Sequence, residues 1–114
     1  MDPEARFDQI VEDLAPRGVL PGALFGSRSL TYDGTAFASF RPTRMAIKLL
    51  GGTLEHDEAM ALDGATAFDP SGKGRPLKDW VCVPASQEDA WPRLTEAALA
   101  GVLDALGVRQ DDVT

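Results

Sequence analysis

Apolar residues recur at steps of three and four near both ends of the chain and at steps of two through its middle, which predicts helices flanking a sheet. Phe7, Ile10, Val11 and Leu14 form the first helical stripe. Asp2 is placed to cap this helix, Pro3 and Glu4 occupy its first turn, and Pro16 and Gly18 end it. Pro21-Gly22 then reads as a turn.

From Ala23 onward short runs alternate with hairpin signals. Strands are predicted over residues 23–32, 35–40 and 45–50, joined by Asp33-Gly34 and by Arg41-Pro42-Thr43-Arg44. Asp-Gly suits the positive φ angles of a tight hairpin, whereas Pro42 lacks the N–H a ladder needs. In the third run Met45, Ile47 and Leu49 share one face, and Ala46, Lys48 and Leu50 share the other. Gly51-Gly52 release the chain into a short helix over 53–62 capped by Thr53, and strands follow over 66–69 and 77–83, with Pro84 ending the last. Ser86 and Asp89 approximate a capping box for a final helix, whose stripe is Trp91, Leu94, Ala98, Val102 and Ala105 and whose end is Gly107.

The resulting order, α-β-β-β-α-β-β-α, predicts one two-layer α+β domain over residues 1–107, a five-stranded antiparallel sheet with helices packed on it, and a polar tail over 108–114. A length of 114 residues fits a single core. No apolar run approaches the ~20 residues that cross a bilayer, and the acidic start, Met1-Asp2-Pro3-Glu4, is unlike a secretory signal, so a cytoplasmic protein with no membrane partner is expected. With one cysteine, Cys82, an intramolecular disulfide is excluded.

The formal net charge of −7 argues against broad affinity for nucleic acid, although its distribution is uneven. The segments 1–13, 53–69 and 86–114, which hold the predicted helices, are acidic, while 22–50 carries +3 and 71–80 carries +2. Acidic helices and basic strands are the expectation.

Leu24-Phe25-Gly26-Ser27, Tyr32-Asp33-Gly34-Thr35-Ala36-Phe37-Ala38, Ile47-Lys48, Phe68, and the run from Gly72 through Lys73-Gly74-Arg75-Pro76-Leu77-Lys78-Asp79-Trp80-Val81-Cys82-Val83-Pro84 together resemble the TfoX/Sxy N-terminal pattern over about residues 5–105. MmcQ/YjbR-like proteins share a similar fold. The resemblance implies a sheet-and-helix fold like that of secretion chaperones, association as a dimer, and a link to transcriptional or competence regulation. It implies no catalytic residues.

Sites of chemistry are weakly marked. Ser71-Gly72-Lys73-Gly74 has a Gly-Lys step, but the P-loop positions for the leading Gly and the trailing Ser/Thr hold Ala67 and Gly74. His56 lies among Glu55, Asp57 and Glu58, yet its helical neighbours three and four away are Thr53, Gly52, Ala59 and Met60, which ligate no metal. Cys82 between Val81 and Val83 reads as a small buried hydrophobe, and Ser27, Ser29 and Ser39 have only His56 as a base. No catalytic residue, metal or cofactor is therefore expected.

Lys48 interrupts an otherwise apolar strand, and Lys78 alternates onto one face with Trp80. A surface of Lys48, Lys78 and Trp80 with Arg41, Arg44, Lys73 and Arg75 is the candidate interaction site. The function expected is a non-catalytic protein-interaction or regulatory domain, homodimeric or bound to a protein partner. The alternative is a binder of an anionic small molecule or nucleic acid through the same basic face.

Overall fold

A computed structural model describes residues 2–24 and 26–108. Its elements are α1 (Pro3–Leu14), β1 (Leu20–Leu24), β2 (Ser27–Tyr32), β3 (Thr35–Arg41), β4 (Arg44–Lys48), α2 (Leu54–Met60), β5 (Thr66–Phe68), β6 (Leu77–Pro84) and α3 (Trp91–Ala105), with 3-10 turns at Ala15–Arg17 and Ala85–Ala90. The strands form one antiparallel sheet in the order β1-β2-β3-β4-β6-β5.

The α+β class and the antiparallel sheet match expectation, but the sheet has six strands, not five. The single run predicted over 23–32 is a hairpin, in which Leu24 pairs with Ser27 and Gly26 takes φ +76°. Pro21-Gly22, read as a turn, lies inside β1. That placement is physically sound because β1 is an edge strand, where a proline without an N–H can leave the paired side of the ladder intact. Gly22 is required there for space, since a Cβ would come within 2.9 Å of Thr31 Cγ2 and 3.1 Å of Ser29 Oγ.

Helix α1 begins as the sequence dictates, with Asp2 accepting from the Ala5 amide at 3.2 Å and Phe7, Ile10 and Leu14 buried. At Asp33-Gly34 both residues have positive φ, +50° and +79°, which closes the β2–β3 turn. Thr53 caps α2 through the His56 amide, but only Ala59 of that helix is buried. The capping box foreseen at Ser86 and Asp89 does not form: residues 85–90 make a 3-10 turn, and α3 starts at Trp91 with Pro92 in its first turn. Asp89 and Glu88 instead both pair with Arg6 of α1, which ties the start of α3 to the first helix. Along α3, Ala105 of the predicted stripe is exposed, while Thr95, Leu99 and Leu103 join the buried side. Val108 also packs on the core, and the rest of the predicted polar tail lies outside the described residues.

The core lies between the helices and one face of the sheet, joining Phe7, Ile10 and Leu14 to Leu30, Met45, Ile47, Val81 and Val83 and to Trp91, Leu94 and Leu99. A bulge in β3, where the register against Leu30 and Thr31 moves from Ala38 to Ala36, leaves Phe37 unpaired. Phe37 and its neighbour Ala38 both enter the core as a result.

The Arg6 contacts give a pH prediction. Hydrogen bonding from Arg6 holds the Glu88 carboxyl below its ordinary 4.5, against partial desolvation. A depressed carboxylate stabilises the fold above its ordinary pKa, and that contribution disappears as pH falls through the lowered value. The stability gap between parent and Glu88→Gln should therefore be constant near neutrality and close below about pH 4.5. Urea titrations at a series of pH values measure it; a gap of the same size at pH 7 and well below pH 4 would refute the linkage.

Candidate interaction face

Cross-strand partners project to the same side of a sheet, so register identifies what the second face carries. One row runs across all six strands: Gly22 pairs with Ser29, Ser29 with Ser39, Ser39 with Ala46, Ala46 with Cys82, and Cys82 with Thr66. Every member is small. It lies opposite the core, because the alternating neighbours Ala38, Ile47 and Val81 are core residues.

Larger side chains flank this row on both sides. Arg41 pairs with Arg44 at one end of β4, and Lys48 pairs with Trp80 at the other. Phe68 folds over the row and forms a second, smaller cluster with Ala46 and Cys82, against which Leu77 and Trp80 pack. The Phe68 and Trp80 ring centroids are 5.8 Å apart, and the Arg41 guanidinium carbon sits 5.3 Å from the Phe68 centroid. Trp80 thus does two jobs at once: it packs in this cluster and lies beside Lys48.

Among the described residues, positive side chains fall into two groups. Arg6, Arg17, Arg28 and Arg93 each meet carboxylates: Glu88 and Asp89, Glu96, Glu4 and Asp8, and Glu58 respectively. Arg41, Arg44, Lys48, Lys73, Arg75 and Lys78 form no ion pair with any described carboxylate. The acids that flank Lys73, Arg75 and Lys78 in sequence are engaged by backbone amides and a serine hydroxyl. Asp69 accepts from the amides of Gly72 and Gly74 and from Ser71 Oγ, and Asp79 accepts from the Gly51 amide at 2.8 Å. Desolvation opposes the charge on Asp69, but those hydrogen bonds outweigh it and hold its carboxyl below the ordinary 3.8.

The fold therefore brings Arg41, Arg44, Lys48 and Trp80 onto adjacent strands, and it places Lys73 and Arg75 on the exposed loop between β5 and β6, with Lys78 exposed near the start of β6. Sequence reasoning missed the small row, above all Ser29 and Ser39. Each is 0% exposed, and neither Oγ has a hydrogen-bond partner among the described residues. The available signal was the recurrence of small residues two apart, at Ser27, Ser29 and Thr31, in a strand followed by a second one with Ser39.

No arrangement for nucleophilic catalysis assembles from the residues singled out for it. The Ser29 and Ser39 hydroxyls contact no base. Cys82 is 4% exposed, and burial pushes its thiol up from the ordinary 9.0, with Arg44 and Arg41 only partly offsetting that. His56 Nδ1 lies 4.0 Å from Asp57 Oδ1, and among the described residues no three of His, Cys, Asp and Glu gather as a metal cluster would. In the native protein Cys82 should resist a thiol reagent at pH 8 and react fully only in denaturant. Rapid stoichiometric labelling without denaturant would contradict the burial.

Among the described residues no helix is long and apolar enough to cross a membrane. No family model, curated protein or solved structure matches the chain.

Proposed function

We propose that this chain is a non-catalytic recognition domain whose outer sheet face, with the β5–β6 loop, binds an acidic segment of a protein partner. One observation carries the reading: the described cations of α1, β2, α3 and the turn after α1 are neutralised by carboxylates, whereas the six of β3, β4, β6 and the β5–β6 loop meet no described carboxylate. Unneutralised charge on one side of a molecule is an attraction waiting for an opposite charge. Trp80 adds an apolar anchor of the kind that binding surfaces favour. The motif order similar to the TfoX/Sxy N-terminal family favours binding in a regulatory setting over catalysis, and the acidic start and short apolar runs favour a cytoplasmic encounter.

The test is titration of the parent and of Lys48→Glu/Lys78→Glu with a labelled ten-residue glutamate-rich peptide, followed by fluorescence anisotropy at rising salt. The parent should bind at low ionic strength and weaken as salt screens the contact, and the double variant should lose about tenfold or more in affinity. Absence of binding to the parent at low salt overturns the proposal. A duplex oligonucleotide run in parallel separates the nucleic-acid reading, which would show a steep salt slope. Light scattering reports whether a second copy, presenting its own acidic helices, is the partner instead.

A further inference from the structure

Arg41 is a strained element of this face in an electrostatic sense. Its Nε and Nη2 are covered by protein and donate to no acceptor among the described residues, although the side chain as a whole is half-buried. A guanidinium stays charged at any ordinary pH, so these donors cannot be silenced by losing a proton. Phe68 offers them a ring face, which attracts the charge but leaves strong N–H donors without an oxygen acceptor. Directly across the ladder stands Arg44, a like charge, and like charges opposite one another destabilise a strand pair.

The surroundings deepen the deficit. Two residues back along the same face of β3 is Ser39, and across from it is Ser29. Both hydroxyls are buried and unpartnered, in a protein class where nearly all such groups are satisfied. Four buried polar atoms, two on a permanent cation, thus collect in one corner of the outer face with no described carboxylate to meet them. The structural role open to such a group is small, because an unpaired buried cation destabilises the free protein.

The geometry points to an oxyanion subsite in this corner: exposed Arg44 and the part of Arg41 that reaches solvent receive one carboxylate of the acidic partner, with the Ser39 and Ser29 hydroxyls buried behind them. The inference rests on the recognition role proposed above and names where that role has its specific contact. A guanidinium presents a planar fork that matches the two oxygens of a carboxylate, and charge-assisted bonds of this kind are the strong ones. Arg44 is exposed and Arg41 half-exposed, which marks the side from which the carboxylate arrives. Lys48, Lys73, Arg75 and Lys78 then act at longer range and with less geometric demand.

The experiment is an NMR titration of the full chain, labelled with nitrogen-15, that follows the Arg41 Nε–Hε resonance and the backbone amides. The glutamate-rich peptide and inorganic phosphate are added in separate series at matched ionic strength. The peptide should move the Arg41 resonance saturably, with the same midpoint as the amides of β3, β4 and β6. Arg41→Lys, which keeps the charge and removes the fork, should weaken the peptide about tenfold, whereas Lys73→Gln should weaken it about twofold. If the amides shift but Arg41 does not, or if Arg41→Lys binds as the parent does, the subsite is overturned and the wider recognition role stands. If the peptide shifts nothing while phosphate moves Arg41, the recognition role fails and the subsite survives as a site for a free anion. No response to either ligand overturns both.

Discussion

Trp91→Ala is expected to destabilise the fold by about 3–5 kcal/mol and to lower the melting temperature by roughly 15–25 °C. Trp91 is the bulkiest of the fully buried side chains, at 0% exposure. Its ring meets Phe40 edge-on at 6.2 Å, Phe40 in turn meets Phe7 at 5.1 Å, and its indole N–H donates to the Val83 carbonyl at 3.2 Å. One side chain therefore joins α3, β3, β6 and, through the ring chain, α1. Truncation removes the apolar area, opens a cavity beneath the first turn of α3, and deletes the buried hydrogen bond. Trp91→Phe should recover most of the loss, because it returns an aromatic ring, smaller than indole and without the donor, to the site. Thermal and urea unfolding measure both, and a fall of only a few degrees for the alanine variant would show that the site collapses without a cavity.

Phe68→Ala is expected to cost about 3–4 kcal/mol and, unlike Trp91→Ala, to change the chemistry of the outer face. Phe68 is the cover over Ala46 and Cys82, and it is the ring against which the Arg41 guanidinium rests. Without it the Cys82 thiol becomes accessible, so labelling of the folded variant should proceed under conditions in which the parent is protected. Its Arg41 donors also gain water, which removes the deficit that favours a bound carboxylate. Peptide affinity should therefore fall along with stability, whereas Trp91→Ala at a temperature where it is folded should bind as the parent does. Continued protection of Cys82 in Phe68→Ala would mean that another group covers the thiol.

Those two variants also mark the limit of what was legible in the residues alone. The α1 stripe, the Asp33-Gly34 turn and the core face of β4 depend on neighbours within a few positions, and each is present in the fold. Strand β1 was not legible because Pro21-Gly22 is acceptable in a strand only at a sheet edge, and edge position is a property of the whole sheet. The start of α3 went astray for a similar reason: Asp89 looks locally like half of a cap, but Arg6, 83 residues away, takes it. On the outer face, Lys48 stood out because a charge inside an apolar strand is conspicuous. Ser29 and Ser39 did not, since a serine in a strand looks the same whether water or protein lies above it. Their meaning needs the register of β1 through β4, which no local pattern supplies.

With many carboxylates on the helical layer and six cations of the sheet side meeting no described carboxylate, the molecule carries a permanent dipole on a net charge of −7. At long range the monopole governs, and any polyanion is repelled. Inside about one screening length, roughly 8 Å at physiological salt, the near pole takes over and the sheet side turns toward a compact negative group. Long uniform polyanions must hold much of their charge beyond that distance, so the same field that admits a short acidic segment turns away an extended one.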